Sequence, residues 1–348
     1  MKEYEIKREY EFDYLRSIAA FGVIVIHVCA MDWRNLDIYS SYWLTIHIYD
    51  MMAKFSVPIF FMISGRFFLD PIRSFEFNKM IRKIKHLILV FSFWSCIYMI
   101  LNVLRVLVTG GIIRENIKWI ILEFFGGEYH MWFLYAIIGL YLITPLLRKI
   151  VEDKRTIEYF LILFFVFSLI LPILEKLPRV GIVLSTISDE MVFHFTLGYS
   201  GYYILGYYLY AYRFSKNKRK KIYILGIVGI FMSCMLTYIS SIQTGIANEE
   251  LANYLSPNVA ITAIAVYVFA MEKGKIIVGK KGIELIASSS LGIYMIHPVF
   301  LWIFEWFGFT QKNFIPIISV PVIASAVLII SLIFIQIMSK NLYLRKVI

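Results

Sequence analysis

Apolar runs of about twenty residues recur along this chain, separated by short polar stretches rich in Lys and Arg. A helix needs about twenty apolar residues to cross the hydrocarbon of a bilayer. The pattern predicts ten such spans: about Tyr14–Met31, Leu44–Leu69, Ile84–Val108, Met131–Leu147, Ile157–Leu174, Val192–Tyr212, Ile222–Ile242, Leu251–Met271, Leu285–Phe304 and Phe314–Met338. The second is long and contains Pro58. The expected fold is therefore all-α, a polytopic integral membrane protein with about ten transmembrane helices. The polar stretches are short, so residues 1–348 are expected to form a single transmembrane domain with no separate soluble one. Met1–Tyr14 is charged, and no small-residue cleavage site follows it, so the first span reads as a retained helix. Two segments, Leu36–Tyr49 and Gly110–Tyr129, have the aromatic, weakly amphipathic character of chain lying in the interface.

Composition agrees. Hydrophobic residues make up 60% and charged residues 17% of the 348, and mean hydropathy is +0.73. A soluble core of this size has no place to hide so much apolar surface, whereas lipid accepts a helix that is apolar all round. The net charge is +11. Its location argues against nucleic acid, because it sits in the loops Pro71–Lys83, Arg148–Thr156, Arg213–Lys221 and Glu272–Glu284 and in the C-terminal tail. Alternate loops hold most of the Lys and Arg, which is the positive-inside pattern and predicts that both termini are cytoplasmic. Cys29, Cys96 and Cys234 have neither metal spacing nor disulfide logic and read as small apolar residues; no metal is expected.

Ionisable residues inside apolar spans carry the chemical signal, since in hydrocarbon they normally face a bundle interior or a cavity. The first span reads Y-E-F-D-Y-L-R-S-I-A-A-F-G-V-I-V-I-H-V. Asp13 and Arg16 are three apart, and His27 lies about three turns beyond Arg16 on the same face, roughly 16 Å along the axis. Arg16 is expected at the cytoplasmic mouth and His27 deep in the bundle. Span nine carries S-S-S-L-G-I-Y-M-I-H-P, which aligns Ser290, Tyr294 and His297 in one polar stripe. Pro298 is expected to kink that helix. The stripe reads either as cavity lining or as a polar seam between helices. Asp50 and Lys54, four apart, suit an ion pair; Ser64 and Gly65 suit close packing; Arg66 reads as a charge at the inner mouth. Arg82, Lys83, Lys85 and His86 read as a phosphate-binding surface or as ordinary topology charge. His130 opens span four at the outer face, and His47 and His194 read as interface residues.

These pieces together resemble the membrane-bound acyltransferase 3 family, which includes bacterial O-acetyltransferases acting on surface glycans. The resemblance covers nearly the whole chain. The family's Asp, then Arg, ten residues and His corresponds to Asp13, Arg16 and His27. Its V-P-x-F-F-x-x-S-G corresponds to Val57–Gly65, and its basic start of helix three to Arg82–Lys85, with Lys85 where an Arg is usual. Lys binds phosphate as a point charge without the fork of Arg. The W-F-L…L-Y-x-x-x-P segment corresponds to Trp132–Pro145, preceded by His130, and S-x-x-x-Y-x-x-H-P to Ser290–Pro298.

The resemblance implies a multi-pass enzyme of the bacterial cytoplasmic membrane that moves an acyl group, by default acetyl, from cytoplasmic acyl-CoA to a hydroxyl of an extracytoplasmic glycan or lipid-linked sugar. No permanently bound cofactor is expected; acyl-CoA is the donor substrate. Arg16, Arg82, Lys83 and Lys85 are the expected CoA-phosphate ligands. His27 is the expected general base or acyl carrier, with Asp13 orienting Arg16, and His130, Ser290, Tyr294 and His297 line the cavity. Many relatives carry an added extracytoplasmic domain, so this chain is expected to work alone or with an envelope-biosynthesis partner protein, in contact with membrane lipid. Two other readings stand beside this one: a serine-like amino-acid transporter, and a non-catalytic subunit of a polysaccharide export or synthesis system.

Overall fold

The computed structural model describes residues 8–108, 117–177, 181–191, 194–274, 276 and 280–348, without the side chains of 117–120, 194–197, 280 and 313. In chain order the helices are α1 (Tyr10–Ala30), α2 (Ser41–Ala53), α3 (Ser56–Leu69), α4 (Phe77–Val108), α5 (Ile117–Gly126), α6 (Trp132–Ile150), α7 (Lys154–Leu163), α8 (Leu171–Leu174), α9 (Gly181–Met191), α10 (His194–Ala211), α11 (Lys216–Thr244), α12 (Pro257–Lys273), α13 (Lys280–Ser288), α14 (Ser290–Trp306) and α15 (Pro316–Ser339). Among the described residues there is no strand. Among the described residues, eight helical stretches are long and apolar enough to cross a membrane, and the bent pair α13–α14 makes a ninth. The protein is an all-α, polytopic membrane protein.

Several expected spans differ in detail. The second is two helices, α2 and α3, separated by a turn at Lys54–Phe55. The ninth is bent by 76° between α13 and α14, at Ser289 rather than at Pro298. Ser289 Oγ accepts a bond from Gln336 Nε2 at 2.8 Å, and Ser17 Oγ donates to the Ile283 carbonyl at 3.1 Å, so the bend is tied to α15 and α1. The expected sixth span is α10, whose backbone is non-helical at Gly198. Its tyrosines lower its hydropathy below that of a lipid-facing span, and they are tolerated because α10 is interior. Tyr202, Tyr203 and Tyr207 are buried. The Tyr202 hydroxyl donates to the Tyr254 carbonyl, and Tyr203 bonds Thr144. Val192, the His194 side chain and residues 110–116 lie outside the described residues. Over their described residues, α5 and α9 are shorter than a bilayer crossing requires.

α1 is the spine of the bundle, packed against α2, α3, α12, α13, α14 and α15. This is why one helix can carry a charge at one end of the bundle and a partly buried imidazole deeper within it. α3 crosses α10 at a distance set by two glycines. A Cβ on Gly65 would stand 1.7 Å from the Tyr203 carbonyl oxygen, and one on Gly206 would stand 1.9 Å from that of Met62. Without a hydrophobic drive between helices in lipid, small residues that let backbones approach are what hold such a pair together.

Charges fill the two ends. At the end where α1 begins, called the basic end below, Arg66 is 2% exposed. It donates to Asp70 at 2.8 Å, lies 3.4 Å from Glu9, and stacks 3.3 Å from the Tyr210 ring centroid. Arg66 is therefore a buried structural ion-pair residue and not an open charge at the mouth. At the opposite end Lys54 pairs with Asp50 at 3.3 Å and with Glu249, and Arg34 reaches Glu249 at 3.9 Å. His47, expected at an interface, is fully buried: it stacks on Trp43 at 4.7 Å and bonds Thr237 Oγ1 at 3.0 Å, pinning α2 to α11.

The Gly65 contact sets a stability test. Gly65→Ala must push α3 from α10 and is expected to cost about 1–3 kcal/mol. Gly139→Ala, where an added Cβ meets nothing within 4 Å, serves as the control. Thermal unfolding of both variants in one detergent checks this; equal melting temperatures would refute the packing role of Gly65.

Candidate active site

Two cavities meet inside the bundle. The larger, about 830 Å³, opens at the basic end between α1, α3, α4 and α6 and is lined by Arg16, Arg73, Lys79, Lys83, His86 and Arg148, with Glu76 as its one carboxylate. The smaller, about 120 Å³, lies deeper and is lined by His27, His130, Trp132, Tyr254, Ser290 and Tyr294 among others. Phe60, Phe133, Ser290 and Leu291 line both and form the partition between them. The two rings are edge-on at 6.0 Å.

The basic vestibule is built from helix periodicity. Lys79, Lys83 and His86 repeat at i, i+4 and i+7 along α4 and so share the face that lines it. Arg82 and Lys85 fall off that face, are exposed, and do not line the cavity. Of the four cations expected to hold CoA phosphates, Arg16 and Lys83 are placed in the vestibule and the other two are not. The vestibule cations also differ in how committed they are. Arg148 donates to the carbonyls of Phe68, Asp70 and Arg73, each at 2.9 Å, so it caps the end of α3. Arg73 pairs with Glu9 at 3.0 Å, and Lys79 pairs with Glu76. Arg16 lies 3.4 Å from Asp13, which is held more tightly by Arg8 at 2.6 Å, and the Arg16 guanidinium sits 5.1 Å over the Phe67 ring. Asp13 thus orients Arg16 without neutralising it fully. Lys83 rests 5.2 Å from the Phe68 ring centroid and has no ion-pair partner among the described residues.

Three imidazoles from three elements meet at the deeper chamber: His27 and His130 line it, and His297, expected to line it too, packs behind them against both rings. His27 comes from α1, His130 from the one-turn 3₁₀ helix Tyr129–Met131 ahead of α6, and His297 from α14. Ring centroids are 5.0 Å apart for His27–His297, 5.6 Å for His130–His297 and 6.4 Å for His27–His130. His130 is not at the outer surface: it is 2% exposed, with its ring against Tyr98, Tyr294 and His297. The Tyr294 hydroxyl donates to the His130 carbonyl and anchors the turn to α14. The Tyr98 hydroxyl donates to the Met295 carbonyl at 2.6 Å and fixes α14 to α4. Just outside the span, burial raises the Glu128 carboxyl above its usual range, against bonds from Tyr129 and Asn102. Among the described residues no group of His, Cys, Asp or Glu is arranged to hold a metal ion.

On the side away from the vestibule, Trp132 and Tyr254 stack at 5.8 Å, and Lys54 lies 5.5 Å from the Tyr254 ring centroid. Asp50 and Lys54 form the pair that their spacing suggests, and Phe60 and Phe133 fall on Phe positions of the V-P-x-F-F and W-F-L motifs, but no spacing or motif pointed to Tyr254 or Glu249 as neighbours of Lys54. Hydropathy alone does not distinguish a phenylalanine that partitions two cavities from one that faces lipid.

Chemically, the arrangement offers a cationic cavity for an anionic group, a narrow apolar partition, and beyond it a set of imidazoles, the side chain that most often transfers protons in catalysis. Neither a curated protein nor a solved structure matches the chain. Residues 9–336 do match the family model of an acyltransferase domain, acyltransferase 3. With Asp13, Arg16 and His27 on one helix and His130, Ser290, Tyr294 and His297 converging on it, the chain belongs to the acyltransferase 3 family and is a membrane acyltransferase.

Proposed function

We propose that this acyltransferase takes a short acyl group, acetyl by preference, from acyl-CoA and gives it to a hydroxyl of a glycan or lipid-linked sugar. The observation that carries the reading is the junction of the basic vestibule with the histidine chamber across Phe60, Phe133, Ser290 and Leu291. CoA phosphates suit Arg16 and Lys83, the vestibule cations least committed to protein carboxylates or carbonyls, through charge-assisted bonds. The extended pantetheine arm is long enough to bring the thioester from there through the partition, on the order of half a bilayer at ~3.5 Å per residue-length of chain. His27 takes the acceptor hydroxyl proton as the oxygen attacks the thioester carbonyl. The C–O ester bond forms, the C–S bond breaks, and the proton returns from His27 to the departing CoA thiolate. An acyl-histidine route would use the same ring as nucleophile.

The chamber's size supports a small acyl group. About 120 Å³ is below the ~150 Å³ of an apolar cavity that admits benzene. The stacked Trp132 and Tyr254 offer a platform for a sugar ring on the far side. The Lys- and Arg-rich loops favour a bacterial cytoplasmic membrane with the basic end facing cytoplasm, where acyl-CoA is made. A partner protein of envelope biosynthesis fits the same setting as the source of the acceptor.

Three outcomes are expected of purified protein in nanodiscs. His27→Ala should lower acyl transfer about 10²–10⁴-fold, the usual span of general acid–base catalysis, while acetyl-CoA binding and the melting temperature are unchanged; loss of folded protein would move His27 to a structural role. Lys83→Ala should raise KM for acetyl-CoA about tenfold at low salt, the scale of one charged hydrogen bond, and leave kcat alone; an unchanged KM in a salt titration refutes its contact with the donor. Phe60→Ala should shift the preference from acetyl- toward butyryl-CoA by about tenfold in kcat/KM, on the scale of added methylenes in an apolar site. A CoA-release assay with both donors reads this ratio, and an unshifted ratio removes Phe60 from the partition that selects chain length.

A further inference from the structure

His297 is locked in one tautomer by the residue that follows it. Pro298 has no N–H, so the carbonyl four residues back, on Tyr294, loses its helical donor. The His297 ring fills that gap: Nδ1 lies 2.8 Å from the Tyr294 oxygen and 3.2 Å from that of Ile293. A carbonyl can only accept, so Nδ1 carries the hydrogen and Nε2 presents a lone pair. The bond also explains why α14 runs through Pro298 without breaking. His297 is fully buried, and its Nε2 has no partner. Of the rings it touches, His27 is nearest, at 5.0 Å against 5.6 Å for His130 and 6.1 Å for Tyr294.

A catalytic imidazole ordinarily has a second group that accepts its other N–H, fixing ring and tautomer and stabilising the imidazolium; in many hydrolases a carboxylate does this. No carboxylate lines the chamber around His27. We infer that His297 is the positioning residue of His27, whose N–H it accepts at Nε2, leaving the other His27 nitrogen to face the acceptor hydroxyl. The ring centroids stand 5.0 Å apart without a hydrogen bond between them, and catalytic contacts commonly tighten on substrate binding. A neutral acceptor suits this chamber better than a carboxylate, because an isolated anion buried there would itself be costly. The orienting role rests on the acyl-transfer reading of His27; the tautomer does not.

The test separates the two ring nitrogens. His297→Asn keeps an amide N–H where Nδ1–H stands, so the bond to Tyr294 persists, but places nothing at Nε2. His297→Gln returns an acceptor near the Nε2 position. His297→Asn is expected to keep the melting temperature and the KM for acetyl-CoA and to lose about 10²-fold in kcat, and His297→Gln to recover part of that loss. An Asn variant with wild-type kcat overturns the inference, because a purely structural histidine is satisfied by the Nδ1 bond. Independently of turnover, ¹⁵N-histidine NMR of the wild-type protein should show an Nδ1–H tautomer whose signal disappears in His297→Asn. In Pro298→Ala a backbone N–H competes for the Tyr294 carbonyl, and that tautomer should no longer dominate. This variant carries the test if His297→Asn fails to fold. A wild-type His297 protonated at Nε2 overturns the inference. A wild-type protein that shows the Nδ1–H signal but transfers no acyl group defeats the acyl-transfer reading, and the orienting role falls with it.

Discussion

An apolar medium offers no water to a polar group, so each one buried in this bundle needs a partner inside the protein or a reason to lack one. Most have the partner. Arg66 is surrounded by Asp70, Glu9 and an aromatic face, Lys54 by Asp50 and Glu249, and Tyr202, Tyr203 and Tyr267 by carbonyls or hydroxyls of neighbouring helices. Some buried polar atoms lack one, and Nε2 of His297, beside the His27 ring, is among them. The same accounting distinguishes the vestibule cations: Arg73, Lys79 and Arg148 are engaged by the protein, while Lys83 and, in part, Arg16 are available.

The architecture that makes this arrangement possible is the central position of α1. A helix surrounded by six others can hold a charge at its mouth and an imidazole about three turns deeper without exposing either to lipid. α14 supplies the opposing wall, and its position is fixed on several sides: Ser289 at the bend, Tyr98 on Met295, and Tyr294 on the His130 backbone. The glycine-mediated crossing of α3 and α10 places Phe60 and Phe61 where α6 meets α3. The aromatic partition between the two cavities, which the proposed acyl transfer would cross, is thus positioned by helix packing well away from it.

Much of this was legible in the sequence. Hydropathy and the repeated basic loops determine a polytopic helical protein, because spanning a bilayer demands length and internal hydrogen bonding that few other patterns meet. Helical spacing alone puts Arg16 with His27, and Ser290 with Tyr294 and His297, on common faces. Motif resemblance ties these to acyl transfer, and the family match over residues 9–336 agrees. Local chemistry also has His297 beside Pro298, from which a freed carbonyl follows.

Tertiary structure alone decided the rest. Periodicity orders residues around one helix axis but says nothing of how that helix is turned toward its neighbours. Hence Arg66, which reads as a mouth charge, is buried in an ion-pair network, and His47, which reads as an interface residue, pins two helices. Arg82 and Lys85 fall outside a vestibule that Lys83 and His86 line. The bend of the ninth span lies at Ser289, where side chains of other helices hold it, and not at Pro298, where a ring nitrogen repairs the helix. His130 joins His27 and His297 because a 3₁₀ turn tucks it inward. Sequence sets which groups each helix can present, since that depends on covalent order and helical pitch; packing sets which of them meet, since that depends on contacts between segments far apart in the chain.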